Sequence, residues 1–91
     1  MAEAAAVARA QISGNELRKN PAEALALAQE AVAIAPGNLF AQTALGDAEA
    51  AVGHRQAAKA AWSQALQITR QFEPEAQRSY GPDLEKKIAG S

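Results

Sequence analysis

The sequence predicts an all-α fold, and three observations carry that expectation. Alanine, the residue with the best helix propensity, supplies 25 of the 91 residues. β-Branched residues are few: three Val, four Ile and two Thr. Helix-ending and helix-starting residues cluster at Asn20-Pro21, Pro36-Gly37-Asn38 and Gly53-His54, leaving uninterrupted stretches between them.

The first helix is expected from about residue 2 towards residue 18, although Ser13-Gly14-Asn15-Glu16 also has the form of a cap that opens a new one. Asn20 is a good N-cap for the second, with Pro21 as its first residue and Glu23 three after the cap. That helix runs to about residue 35 and stops at Pro36-Gly37-Asn38, which also caps the third. The third reaches Val52, Gly53 ends it, and a fourth spans about 55–71. Beyond Phe72 two short helical pieces are expected, one opened by Glu73-Pro74 and one by Gly81-Pro82-Asp83, ending before Gly90. In the second piece Leu84 and Ile88 share a face, and Asp83 and Lys87 can pair on another. A single apolar stripe of that kind suits a cap docked on a larger body.

The faces of the helices separate by spacing. On the fourth, Gln56, Lys59, Ser63, Gln67 and Arg70 make a wet stripe, opposite a dry one of Ala58, Ala61, Trp62, Ala65, Ile68 and Phe72. The second helix has only Glu23, Gln29 and Glu30 as polar residues between its two prolines, so it should be covered on more than one side.

Composition narrows the function. Nine basic and ten acidic residues give a net charge of −1, which offers no reason to expect nucleic acid or an acidic membrane. The adjacent pairs Arg18-Lys19 and Lys86-Lys87 are explained by solvated helix ends. Without Cys there is no disulfide or thiol chemistry, in keeping with a reducing compartment. No secretory leader is legible, and Pro36-Gly37-Asn38 breaks the longest uncharged run before it reaches the length of a membrane span. The expectation is a soluble, cytoplasmic single domain, or a piece of a longer chain.

Candidate chemistry is sparse. His54 has no Cys or second His to share a metal and no Ser paired with it by motif, so a turn residue explains it better than a general base or ligand. Glu73 and Glu75 flank Pro74, and acids at a helix start are accounted for by the helix dipole. No phosphate loop, zinc spacing or nucleophile motif is present. The chain is read as a non-enzyme with no cofactor and no metal.

Shifted by 34 residues, the chain matches itself: Ala24 falls on Ala58, Ala26 on Ala60, Ala31 on Ala65, Val32 on Leu66 and Ile34 on Ile68. A helix-turn-helix unit of that length is the period of the tetratricopeptide repeat, which the chain resembles here. The second unit, about 39–72, carries the pattern in Leu45-Gly46, Ala58, Trp62 and Ala65-Leu66. The first, about 5–38, keeps mainly Ala24, Ala28, Ala31 and the closing Pro36. Departures are Gln42 and Glu49 where the family favours Trp and Tyr, Arg70 in place of a closing Pro, and Gln11-Ile12 in place of Leu-Gly.

The resemblance implies two stacked hairpins, a short right-handed solenoid closed by a cap at about 73–89. Gly46 and Ala58 would sit where the helices of one unit cross, with Ala60, Ala61 and Ala65 where the next helix leans in. Such small residues let axes approach to about 8 Å, and Trp62 would fill the space left between units. It also implies a non-catalytic scaffold or protein-interaction module, taking a peptide or partner helix on a concave face lined by Phe40, Thr43 and Asp47. Ala6, Arg9 and Ser13 would face them from the first helix, with Arg78 alongside. Phe40 is the candidate anchor, unless it packs beneath the first unit or the cap. A clamp for a terminal carboxylate is not expected, because Ser13 and Ala44 stand where it would want Asn. Two alternatives have the same residues serve self-association as a homo-oligomer, or an accessory segment of a larger enzyme or regulator.

Overall fold

Helix boundaries follow the local chemistry of the chain. The computed structural model describes residues 2–72 and 74–90, and among these residues there are five α-helices and no strand. They are α1 (Ala2–Glu16), α2 (Pro21–Ile34), α3 (Leu39–Ala51), α4 (Arg55–Phe72) and α5 (Pro74–Ala89). Asn20 caps α2: its Oδ1 accepts the Glu23 N–H at 3.2 Å, and its Nδ2 donates to Glu23 Oε2 at 3.4 Å. Asn38 caps α3 by accepting the Ala41 N–H at 3.0 Å, and its amide nitrogen donates to Glu3 of α1. At the far end of α3, Gly53 takes φ +89°. Its N–H donates to the Ala50 carbonyl at 3.1 Å, and the His54 N–H to the Glu49 carbonyl at 2.8 Å. This pair of bonds closes the last turn through a left-handed residue, a role that favours glycine.

One break that the sequence left open, at Ser13, and one that it suggested, at Pro82, are absent. α1 runs through Ser13-Gly14-Asn15, and the buried Ser13 hydroxyl donates across to the Ala24 carbonyl of α2 at 2.6 Å, so it joins two helices instead of starting one. α5 is likewise continuous through Pro82, where two short pieces were expected. Proline drives its predecessor from the helical region partly by clashing with that residue's Cβ, and Gly81 has none. Gly81 and Leu84 are both buried while Pro82 is exposed, so an unbroken helix keeps its packed face on the bundle and its proline in water.

α1 packs on α2, α3 on α4, and α5 on α4, while α3 also touches both α1 and α2. The body is a slab of 34 × 32 × 17 Å, thin enough for two layers of helices. α2 therefore has two helical neighbours, as its apolar sequence suggests, yet Ala22, Ala26 and Ala33 on its outer side remain exposed.

The core has two halves of different build. Between α1, α2 and α3 every fully packed hydrophobic residue is an alanine, from Ala6 and Ala10 to Ala44 and Ala48. Between α3, α4 and α5 the cluster contains Leu39, Trp62, Leu66, Ile68 and Leu84, with Ile88 against its edge. Trp62 thus fills the angle between α3, α4 and α5, a correction to its expected place between the two units. The docking of Leu84 and Ile88 near Trp62 agrees with the expected cap. Two further expectations are corrected. Phe72, assigned to the dry stripe, is 74% exposed, because it is the last residue of α4 and lies outside the cluster that α5 covers. Ala60 is also exposed, on the side of α4 away from its buried neighbours Ala58 and Ala61.

Candidate binding groove

Between α1 and α3 lies a groove of about 220 Å³. Val7, Ala10, Gln11 and Gly14 form the α1 wall, since spacings of three and four set them on one side of that helix, and Leu17 in the turn after α1 extends it. The α3 wall is Phe40, Thr43, Ala44 and Asp47 by the same spacing. The surface is mostly apolar, with Gln11, Thr43 and Asp47 as its polar members. A Cβ built on Gly14 would meet no atom within 4 Å, so the absence of a side chain there leaves open space in the groove.

Three of the α3 residues of the groove, Phe40, Thr43 and Asp47, are held by specific contacts. Thr43 Oγ1 donates to the Leu39 carbonyl at 2.8 Å, which leaves the oxygen as an acceptor. Phe40, 42% exposed, meets the ring of Tyr80 in α5 edge to face, with centroids 5.8 Å apart and an interplanar angle of 87°. Asp47 Oδ1 accepts the Trp62 indole N–H at 3.1 Å and pairs with Lys87 Nζ at 2.9 Å. Lys87 stands 5.9 Å from the Trp62 ring centroid and 3.6 Å from Asp83 on its own helix.

The structure brings Phe40, Thr43 and Asp47 together on the groove. It does not place Arg9 among the lining residues: that guanidinium donates to the Ala5 carbonyl of its own helix at 3.2 Å. Ala6 and Ser13, the companions expected beside Arg9, are fully buried against α2 and α3. Arg78 is exposed on α5 and outside the lining set. The clamp positions follow the same pattern, with Ser13 turned into the α1–α2 seam and Ala44 buried in the groove's floor. Leu45 is half-buried against the alanine cluster, and Gly46, Ala58 and Ala65 are buried in the second half, as Ala24 and Ala31 are in the first.

His54 is in the turn after α3 with its side chain 61% exposed, and Nδ1 lies 2.8 Å from Glu49 Oε1. Among the described residues no three His, Cys, Asp or Glu side chains gather in a group suited to a metal ion. Of the Glu73–Glu75 pair, Glu75 is exposed in the first turn of α5 and Glu73 lies outside the described residues. No helix among the described residues is long and apolar enough to cross a membrane.

The α1 wall and the reach of Lys87 to Asp47 were missed at the sequence level, whereas a contact of Phe40 with the C-terminal segment was one of the alternatives. Val7, Ala10, Gly14 and Leu17 do form a stripe of small and apolar residues, but Ala6 and Ser13 make an equally regular one beside it. Only the buried bond from Ser13 to α2 decides which faces inward.

No family profile matches the chain, and neither a curated protein nor a solved structure is significantly similar to it.

Proposed function

We propose that the chain is a non-catalytic protein-interaction module of tetratricopeptide type, which seats a peptide or partner helix in the α1–α3 groove. The observation that carries this reading is the groove itself, an open and largely apolar channel between two helices. Support for the repeat comes from burial in register. Ala24 and Ala58 are both inaccessible, as are Ala31 and Ala65, and both pairs stand 34 residues apart in helices that begin at Pro21 and Arg55. α5 then completes the second half of the core, as a terminal cap must in a short array.

Gly14 supplies the test. A side chain there meets open space within a helix that would gain from losing a glycine. Gly14→Met should therefore keep the fold while filling the groove. A partner peptide that binds the native protein should lose at least tenfold in affinity for this variant. Equal binding by a folded Gly14→Met protein would exclude the groove as the binding surface.

A further inference from the structure

Asp47 is the one ionisable side chain among the residues lining the groove, and it is already paired. We infer that α5 sets the specificity of the groove: Lys87 neutralises Asp47, so the site selects an uncharged aliphatic peptide segment over a basic one. This rests on the binding reading above and names the chemistry of its occupant.

The geometry is that of a built support. Lys87 Nζ is 2.9 Å from Asp47, and the Trp62 indole donates to the same carboxylate oxygen at 3.1 Å. Both partners of the ion pair are partly screened from water, with side chains 30% and 27% exposed. Two helical turns away, Tyr80 of the same helix meets Phe40. Thus α5 grips the α3 wall at both ends of the groove, through one aromatic contact and one charged contact. Lys87 also reaches Asp83 of its own helix at 3.6 Å, a carboxylate that is 65% exposed and not a lining residue.

What remains for a ligand is an apolar channel flanked by the Gln11 carboxamide and the Thr43 oxygen. These can hydrogen-bond a peptide group, as acceptor and donor or acceptor alone, without demanding charge. At about 220 Å³ the space is below the ~300–1,000 Å³ of small-molecule sites. It suits one or two aliphatic side chains of an extended segment.

The test uses two acetylated, amidated peptides, Ser-Leu-Ser-Ala-Leu-Ser and its counterpart ending in Lys, titrated into the isotopically labelled protein. The native protein should favour the neutral peptide, with shifts centred on Thr43 and Ala44. Lys87→Gln exposes Asp47 as a net anion and should raise the relative affinity for the Lys peptide by roughly two- to fivefold, the scale of an exposed ion pair. Adding Asp47→Asn should abolish that gain. Lys87→Met, which keeps the aliphatic stem over Trp62, serves if Lys87→Gln is not folded. An unchanged preference in a folded Lys87 variant, or a gain that survives Asp47→Asn, overturns the inference while leaving the groove standing. If neither peptide shifts the groove resonances, the binding reading fails and this inference falls with it.

Discussion

The indole of Trp62 occupies the place where a β-carbon on Gly46 would stand, so α4 meets α3 at bare backbone. Its nearest atoms would be Cδ1, Nε1 and Cγ of the ring, which are parts of a rigid plane. The ring has little room to retreat. Its N–H is bonded to Asp47, and it belongs to the same packed cluster as Leu39, Leu66 and Leu84.

Gly46→Ala is therefore expected to destabilise the domain although alanine is the better helix former. Overpacking a filled site costs about 1–3 kcal/mol, against a propensity gain of about 1 kcal/mol. A net loss of up to about 2 kcal/mol should appear in urea unfolding. Combining it with Trp62→Phe should recover part of the loss, because the smaller ring vacates the contested space. A Gly46→Ala protein as stable as the native one would show that the indole can move aside.

Trp62 and His54, the single Trp and single His of the chain, should differ sharply in their structural roles. Trp62→Ala removes the largest side chain of the α3–α4–α5 cluster and leaves Asp47 without its indole donor, a loss of about 3–5 kcal/mol. His54→Ala removes only an exposed contact to Glu49, and its effect should stay within about 0.5 kcal/mol. Gly53→Ala, one residue earlier, should cost more than His54→Ala, because φ is +89° there. Melting curves of the three variants check the order, and comparable losses at His54 and Trp62 would reverse the assignment.

These contrasts also mark what sequence can and cannot supply. The caps at Asn20 and Asn38 and the left-handed Gly53 were legible because each acts on backbone within a few residues of itself. The alignment of Ala24 with Ala58 was legible because burial repeats with the helix pair. Phe40, Thr43 and Asp47 share a face by simple spacing, and that too could be read. The partners of those residues could not. Tyr80 and Lys87 reach α3 from 40 residues away; the spacing of Asp83 and Lys87 was legible, but nothing local shows that Lys87, unlike Lys86 beside it, also reaches Asp47. Pro82 misled because Gly81-Pro82-Asp83 reads as the opening of a helix, whereas a glycine before the proline lets the helix run through it.

Removal of residues 82–91 tests the cap. Leu84 is 1% exposed and Ile88 packs against the same cluster, so truncation uncovers Trp62 and Ile68. It also removes Lys87 from Asp47. The shortened chain should unfold at distinctly lower urea or self-associate through the uncovered patch, as sedimentation would show. A monomer of undiminished stability would refute the cap.

The two halves of the core should also open at different cost, and this bears on the groove. Fully burying a large aliphatic side chain contributes about 1.5–3 kcal/mol, whereas each methyl-sized group contributes about 0.8 kcal/mol. Of hydrophobic residues, the seam joining α1 to α2 and α3 buries only alanines completely, while α4 is held by Trp62, Leu66 and Ile68. The Ser13 bond to Ala24 and the Asn38 bond to Glu3 tie α1 at two points, each contributing on the order of 1 kcal/mol. Native-state hydrogen exchange at rising urea should therefore find α1 amides exchanging through a partial opening, below the free energy at which α4 amides exchange. Since α1 is one wall of the groove, that opening would widen the site for a bulkier partner without disturbing the α3–α4–α5 support. Equal protection along α1 and α4 would instead make the domain a single cooperative unit with a groove of fixed width.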